Sequence, residues 1–300
     1  MMFGRGDIPT RSTASKPVQT FETITSLRAA VAAARARGDR IGFVPTMGFL
    51  HEGHLQLVDE AKRRAGCVVM SLFVNPTQFG PNEDFTRYPR DPEGDAAKAE
   101  GRGVDLLFAP DVSEMYPAQA SVHVVADDLP TRWEGEIRPG HFSGVLTVVA
   151  KLFNIVSPDV AVFGRKDFQQ AALIRRMVRE LNFPLEVVVA PTVRERDGLA
   201  MSSRNTYLDA PARASALALV ESLRAASDAF ARGERRGERL TSVGRDVLGS
   251  HPEVRPDYFA VVDPIDMKAV ETASAASVAI VAARVGKTRL IDNMILGEGT

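Results

Sequence analysis

Only five histidines occur in these 300 residues, and two of them, His51 and His54, stand one helical turn apart in "VPTMGFLHEGHLQLV" (44–58). Imidazoles at i and i+3 on the first turn of a helix project toward one point. The pair follows an apolar run and sits at a turn with two glycines, Gly48 before it and Gly53 within it, where free N–H groups at a helix start suit a phosphate. Zinc is the competing reading. A metalloprotease pair is spaced i,i+4, however, and no cysteine or further histidine lies near in sequence to complete a tetrahedral set.

Two more segments carry phosphate-suited chemistry. "VFGRKDFQQ" (162–170) repeats the order of apolar run, glycine turn and helix start, with Lys166 and Asp167 at the start and Gln170 one turn on. "DGLAMSSRN" (197–205) sets Ser202, Ser203 and Arg204 together, two hydroxyls beside a planar fork of donors that fits phosphate oxygens. A fourth stretch, "FVNPTQFGPNEDFTRYPRD" (73–91), is a long loop of the kind that often serves as a lid, with Gln78 near its base. The Gln78 amide can donate and accept toward a small polar substrate.

These residues need a scaffold that brings strand ends together. "IGFVP", "CVVMSLFV", "VDLLFAP", "VHVVA", "DVAVFG" and "LEVVVAP" are β-rich runs, and helix-period segments such as "HLQLVDEAKRRA", "GVLTVVAKLFNIV" and "DFQQAALIRRMVREL" alternate with them. Such alternation predicts an α/β fold with a largely parallel sheet covered on both faces, and ligands at the carboxyl ends of its strands. After about Pro191 the texture changes to an Ala-rich helix (211–232), a second helical segment, and three runs, "DYFAVVD", "SVAIVAAR" and "TRLIDNMIL", that predict a small sheet. The expected organisation is a flexible leader (1–20), an N-terminal domain (21–192) and a smaller C-terminal lid domain (193–300).

Composition excludes several classes. With 37 basic and 38 acidic residues the formal charge is −1, so no global field draws the chain to nucleic acid or an anionic membrane. No run approaches the roughly 18 to 20 apolar residues of a membrane span, and the start lacks a signal peptide's apolar centre. The single cysteine, Cys67, can form no intramolecular disulfide, which fits a cytoplasmic location.

The motifs "PTMGFLHEGHL", "SLFVNPTQFGPNEDFTRYPR", "HFSGVLTVVAKLFNIVSPDVAVFGRKDFQQ" and "PTVRERDGLAMSSRNTYL" resemble the pantoate–β-alanine ligase (pantothenate synthetase) family from about Phe21 to near the end. The resemblance implies a Rossmann-like N-terminal domain with an α+β lid, and a homodimer associating through the N-terminal domain. It implies that pantoate attacks the α-phosphorus of ATP to give pantoyl adenylate and pyrophosphate, and that β-alanine then releases AMP. By motif position, Met47, Gly48, His51 and His54 form the first ATP segment, with His54 as proton donor. Gly164, Arg165, Lys166 and Asp167 hold the nucleotide, with Val193 on the adenine side and Met201, Ser202, Ser203 and Arg204 as a second phosphate clamp. Gln78 and Gln170 bind pantoate, and Gln78 also β-alanine. His51, His54, Lys166 and Arg204 are expected to act mainly electrostatically, because a carboxylate nucleophile needs no base. Magnesium accompanies ATP; its ligands stay open between Asp95 and the phosphates. Arg165 stands where the family commonly has Glu, which leaves either backbone contacts to the nucleotide or a stronger hold on the triphosphate.

Other readings are an adenylyltransferase of the same superfamily acting on a different small acid or phosphate, a tRNA ligase, which would need an anticodon-binding region, and a nucleotide sensor without catalysis.

Overall fold

Runs of Val, Ile and Phe buried on both faces become a six-stranded sheet in the computed structural model, which describes residues 17–81 and 83–298. The strands are β1 (Gln19–Phe21), β2 (Ile41–Thr46), β3 (Cys67–Leu72), β4 (Leu106–Phe108), β5 (Val160–Gly164) and β6 (Glu186–Ala190). They pair in parallel in the order β1-β4-β3-β2-β5-β6. From β2 the chain winds outward through β3 to β4, then crosses to β5 and β6 on the other side. The topological switch point therefore lies between β2 and β5, where an open parallel sheet leaves a crevice.

Period-2 alternation sorts the strand residues between two cores. On one face Ile41, Phe43, Val69, Phe108 and Phe163 pack with α1 (Ile24–Ala36), α6 (His141–Val156) and α7 (Phe168–Glu180). On the other, Val44, Val68, Met70 and Val162 pack with α2 (Glu52–Lys62) and α3 (Pro92–Arg102). Two single turns of helix, α4 (Val112–Met115) and α5 (Glu134–Ile137), lie between β4 and α6 in the chain. The expected strand "VHVVA" does not form. Both sides of β4 are taken, by β3 and by β1, and Val122 and Val125 stay 86% and 69% exposed. Of the expected leader, residues 1–16 lie outside the described residues, and Gln19 and Thr20 pair with Leu106 and Leu107.

The C-terminal unit is an antiparallel sheet of β7 (Val254–Val262), β8 (Val278–Val285) and β9 (Thr288–Ile295), covered by α8 (Ala210–Ala231) and α9 (Gly237–Gly249). Its second face is not solvated. Val262, Met267, Val278 and Ile280 continue the α6 core of the first unit, so both units close over one shared apolar layer.

Candidate active site

At the end of β2 the backbone enters the left-handed region twice, at Gly48 (φ 81°) and Phe49 (φ 51°). A buried carboxylate holds this turn: Asp95 on α3 accepts the amides of Phe49 (2.7 Å) and Leu50 (2.6 Å). A Cβ at position 48 would lie 2.9 Å from Asp95 Oδ2, so glycine is required there for space as well as for φ. On sequence grounds Asp95 is a candidate magnesium ligand. The structure commits both its oxygens to backbone amides, and Asp95 is not among the residues lining the cavity.

The turn delivers His51 to the N-cap of α2 and His54 to its first turn, with the rings stacked at 4.0 Å between centroids. The His51 amide donates to His54 Nδ1 (3.3 Å), which leaves the proton of the neutral ring on Nε2 as a donor. The Nδ1 of His51 is buried without a partner. Burial, and then the nearby Lys166, lower the His51 pKa to about 4; burial, His51 and Lys166 hold His54 well below its ordinary value. Sequence reasoning expects the pair to act electrostatically on the phosphates. In the free protein both are neutral hydrogen-bond donors.

The second wall starts where β5 ends. Gly164, Lys166, Asp167 and Gln170 face the crevice opposite the histidines. Among the described residues the Lys166 ammonium makes no ion pair, so it is a cation with its charge uncommitted. Its peptide is fixed from the C-terminal unit, because Asn293 Nδ2 donates to the carbonyls of Arg165 (3.0 Å) and Lys166 (2.9 Å). Arg165 does not line the cavity. Its guanidinium pairs with Glu298 through Nη1 (2.7 Å), its amide donates to Ala190 O (2.8 Å), and its Nε is buried without a partner. Gly48 is likewise outside the lining and acts through the turn it permits.

The C-terminal unit supplies Met201, Ser202, Ser203 and Arg204, with Val193 beside them on the connecting segment. Ser203 Oγ donates to Phe49 O (3.3 Å), which ties this clamp to the histidine turn. Arg204 is already bidentate to Asp84 (2.8 and 2.9 Å) and lies over the Tyr88 ring, so an incoming anion meets a guanidinium whose charge is partly offset.

Gln78 also lines the cavity, on a 3-10 turn at Pro76–Gln78. Asn75 Nδ2 donates to Gln78 Oε1 (3.1 Å), and this orients the glutamine so that its Nε2 lies 3.1 Å from Met47 Sδ at the cavity wall. Asn75 itself, Tyr88, Arg138, His141 and the apolar wall of Val145, Val148 and Val149 on α6 also line the cavity, and sequence reasoning missed them. One signal was available: His141 follows the helix-starting "RPG", and three of the five histidines prove to line this cavity. The valines gave none, since i, i+3, i+4 apolar spacing also describes any core helix.

Acid should destabilise the fold through this cavity. His141 is also lowered to about 4, by burial and then by Arg138. On unfolding, each ring returns to its ordinary 6.5, so below that pH the unfolded chain binds protons that the native one does not. Stability present above pH 6.5 is thus lost as the pH falls toward 4. Near pH 5 unfolding should take up about three protons, or roughly 3 to 4 kcal/mol per pH unit. Urea midpoints from about pH 7 to 5 measure this; a flat profile would contradict neutral, buried rings.

A parallel sheet whose switch point gathers a histidine pair, an uncommitted lysine and a serine-arginine clamp defines a nucleotide-binding α/β enzyme. The family model described as pantoate-beta-alanine ligase matches residues 19–295, and the chain belongs to that family. It is 56% identical over 288 residues to a pantothenate synthetase from Acidobacterium capsulatum, covering 92% of this chain and 96% of the relative. It is 52% identical to one from Moorella thermoacetica, covering 93% and 99%. Among solved structures, a pantothenate synthetase from Thermus thermophilus superposes with a TM-score of 0.89 at 48% identity, covering 93% of this chain and 99% of the other. A pantoate-beta-alanine ligase from Francisella tularensis, complexed with β-γ ATP and β-alanine, gives 0.72 at 31% identity, covering 93% and 98%. These relatives support the ligase over an adenylyltransferase with a different acceptor.

Proposed function

We infer that this chain joins pantoate to β-alanine in an ATP-dependent reaction, through a pantoyl adenylate, with release of pyrophosphate and AMP. The observation that carries the residue roles is the convergence of four segments, distant in sequence, on one crevice at the switch point. ATP lies along the β2 and β5 ends, with adenine toward Val193 and its phosphates between the histidine pair, Lys166 and the Ser202–Arg204 clamp. Pantoate occupies the end built by Gln78 and Gln170, where the glutamine amides meet its hydroxyls and the α6 valines meet its paired methyl groups.

Its carboxylate is ionised at about pH 7 and attacks the α-phosphorus directly. Negative charge then builds on the equatorial phosphate oxygens and on the leaving pyrophosphate. The His54 Nε2–H and the Lys166 ammonium are preorganised to stabilise that charge. In the second step the free amine of β-alanine attacks the acyl carbon, and AMP leaves as an anion. The partly enclosed apolar wall disfavours competing attack by water.

Magnesium enters as MgATP, held by the phosphate oxygens. Two further properties are proposed with it: a homodimer through the N-terminal unit, supported by the family resemblance and by exposed Val122 and Val125 on that unit, and a cytoplasmic location, supported by the single cysteine. No helix among the described residues is long and apolar enough to cross a membrane.

Pantoate-dependent exchange of labelled pyrophosphate into ATP, with β-alanine withheld, tests the first step; adding β-alanine should then release AMP stoichiometrically with pantothenate. Failure of exchange in protein that binds ATP would refute the acid substrate.

A further inference from the structure

The turn that carries Gln78 is gripped from three directions. Gly144 on α6 lies so close beneath it that a Cβ there would run into the Thr77 carbonyl. Asn75 spans the turn from inside, accepting from the Thr77 amide (3.3 Å) and hydroxyl (3.0 Å) and donating to Gly144 O (3.2 Å) and to the Gln78 side chain. The third grip is on the Gln78 carbonyl, which meets His141 Nδ1 at 2.8 Å and accepts Arg138 Nη2 at 3.3 Å.

This third grip continues outward. Arg138 has no lone pair to offer, so its Nη1 must donate to His141 Nε2 (3.1 Å), which places the histidine proton on Nδ1, facing the Gln78 carbonyl. The same guanidinium is held on its other edge by Glu83, through Nε to Oε1 and Nη2 to Oε2, both at 2.6 Å. An arginine fork bound along one edge by a carboxylate has little rotational freedom left. Each link thus determines the orientation of the next, from Glu83 through Arg138 and His141 to the backbone of the residue that presents the amide.

We propose that Glu83, Arg138 and His141 form a positioning relay that sets Gln78 for the acid substrate. The proposal rests on the reading of Gln78 as a pantoate ligand. The relay bears on Gln78 directly, and among the described residues no hydrogen bond or ion pair joins Glu83, Arg138 or His141 to the histidine pair, Lys166 or Arg204. Its loss should therefore appear in the KM for pantoate and not in the KM for ATP.

The test compares pantoate-dependent pyrophosphate exchange in the wild type and in the variants Glu83→Gln, His141→Ala, His141→Asn and the double variant Glu83→Gln/His141→Ala. Losing one link of a hydrogen-bonded chain should raise the KM for pantoate about 5- to 10-fold, with the KM for ATP within about twofold of the wild type. His141→Asn should recover to within about threefold, because its amide can donate where Nδ1–H does. The double variant should lose less than the product of the two single losses, because Glu83 acts through an Arg138 that reaches the Gln78 carbonyl both directly and through His141. Equal rises in both KM values, a fall in kcat alone, or losses that multiply in the double variant would overturn the relay. Glu83 lies on a partly exposed loop, so Glu83→Gln carries the test if His141→Ala fails to fold. Exchange by the wild type with unaltered variants refutes the relay alone. No pantoate-dependent exchange in the wild type refutes the substrate reading, and the relay with it.

Discussion

Lys166→Ala should lower the rate of adenylate formation about 10³-fold, or roughly 4 kcal/mol of transition-state stabilisation, while changing pantoate affinity less than about threefold. The size of the expected loss follows from the state of the other charged groups. His51 and His54 are neutral in the free site, and Arg204 begins paired with Asp84. Lys166 faces the same cavity with no ion pair among the described residues. It is therefore the cation whose interaction with developing phosphate charge is offset least by a bond already made. Its backbone is pinned by Asn293, which fixes where the side chain leaves the chain. Single-turnover pyrophosphate exchange, with pantoate affinity from calorimetry, separates the two quantities. Equal losses in rate and in pantoate binding would show that Lys166 supports the site rather than the transition state.

The second large effect is structural in origin and catalytic in consequence. Asp95→Ala should destabilise the protein by about 3 kcal/mol and reduce exchange at least about 100-fold. Asp95 is 2% exposed, and its two oxygens take the amides of Phe49 and Leu50 in a turn that its own φ angles disfavour. Removing the carboxylate leaves two buried N–H groups unpaired and frees the turn that delivers His51 and His54. Asp95→Asn is not a mild change, because its NH2 must face one of those amides as donor against donor. Urea unfolding reads the first effect and pyrophosphate exchange the second. If Asp95 acted as a magnesium ligand, excess magnesium would restore the variant; restoration would sink the structural account.

How much of this was legible before the fold was known differs from residue to residue. The histidine pair, Lys166 and the Ser202–Arg204 clamp were legible because each is a local pattern: residue type, glycine and helix start within one short segment. Their convergence was also foreseeable, since βαβ alternation places successive strand ends along one edge. The short strand β1 was not, because three residues carry no periodicity. "VHVVA" misled for the converse reason: its β-prone residues meet a sheet with no edge free beside β4. His141 and Arg138 gave no signal strong enough to assign a role, since one histidine and one arginine near a helix start occur in any chain.

The sequence by itself determined which residues are chemically suited to phosphate and acid recognition and which strand ends carry them, because type and local spacing depend only on neighbours along the chain. Tertiary structure decided the state in which those residues stand. The histidines are neutral because they are buried beside a lysine from another strand end, Asp95 is committed to a turn, Arg204 starts on Asp84, and Gln78 is held through His141. Burial, ionisation and pairing depend on which segments meet, and distant segments meet only when the two units close over the crevice between β2 and β5.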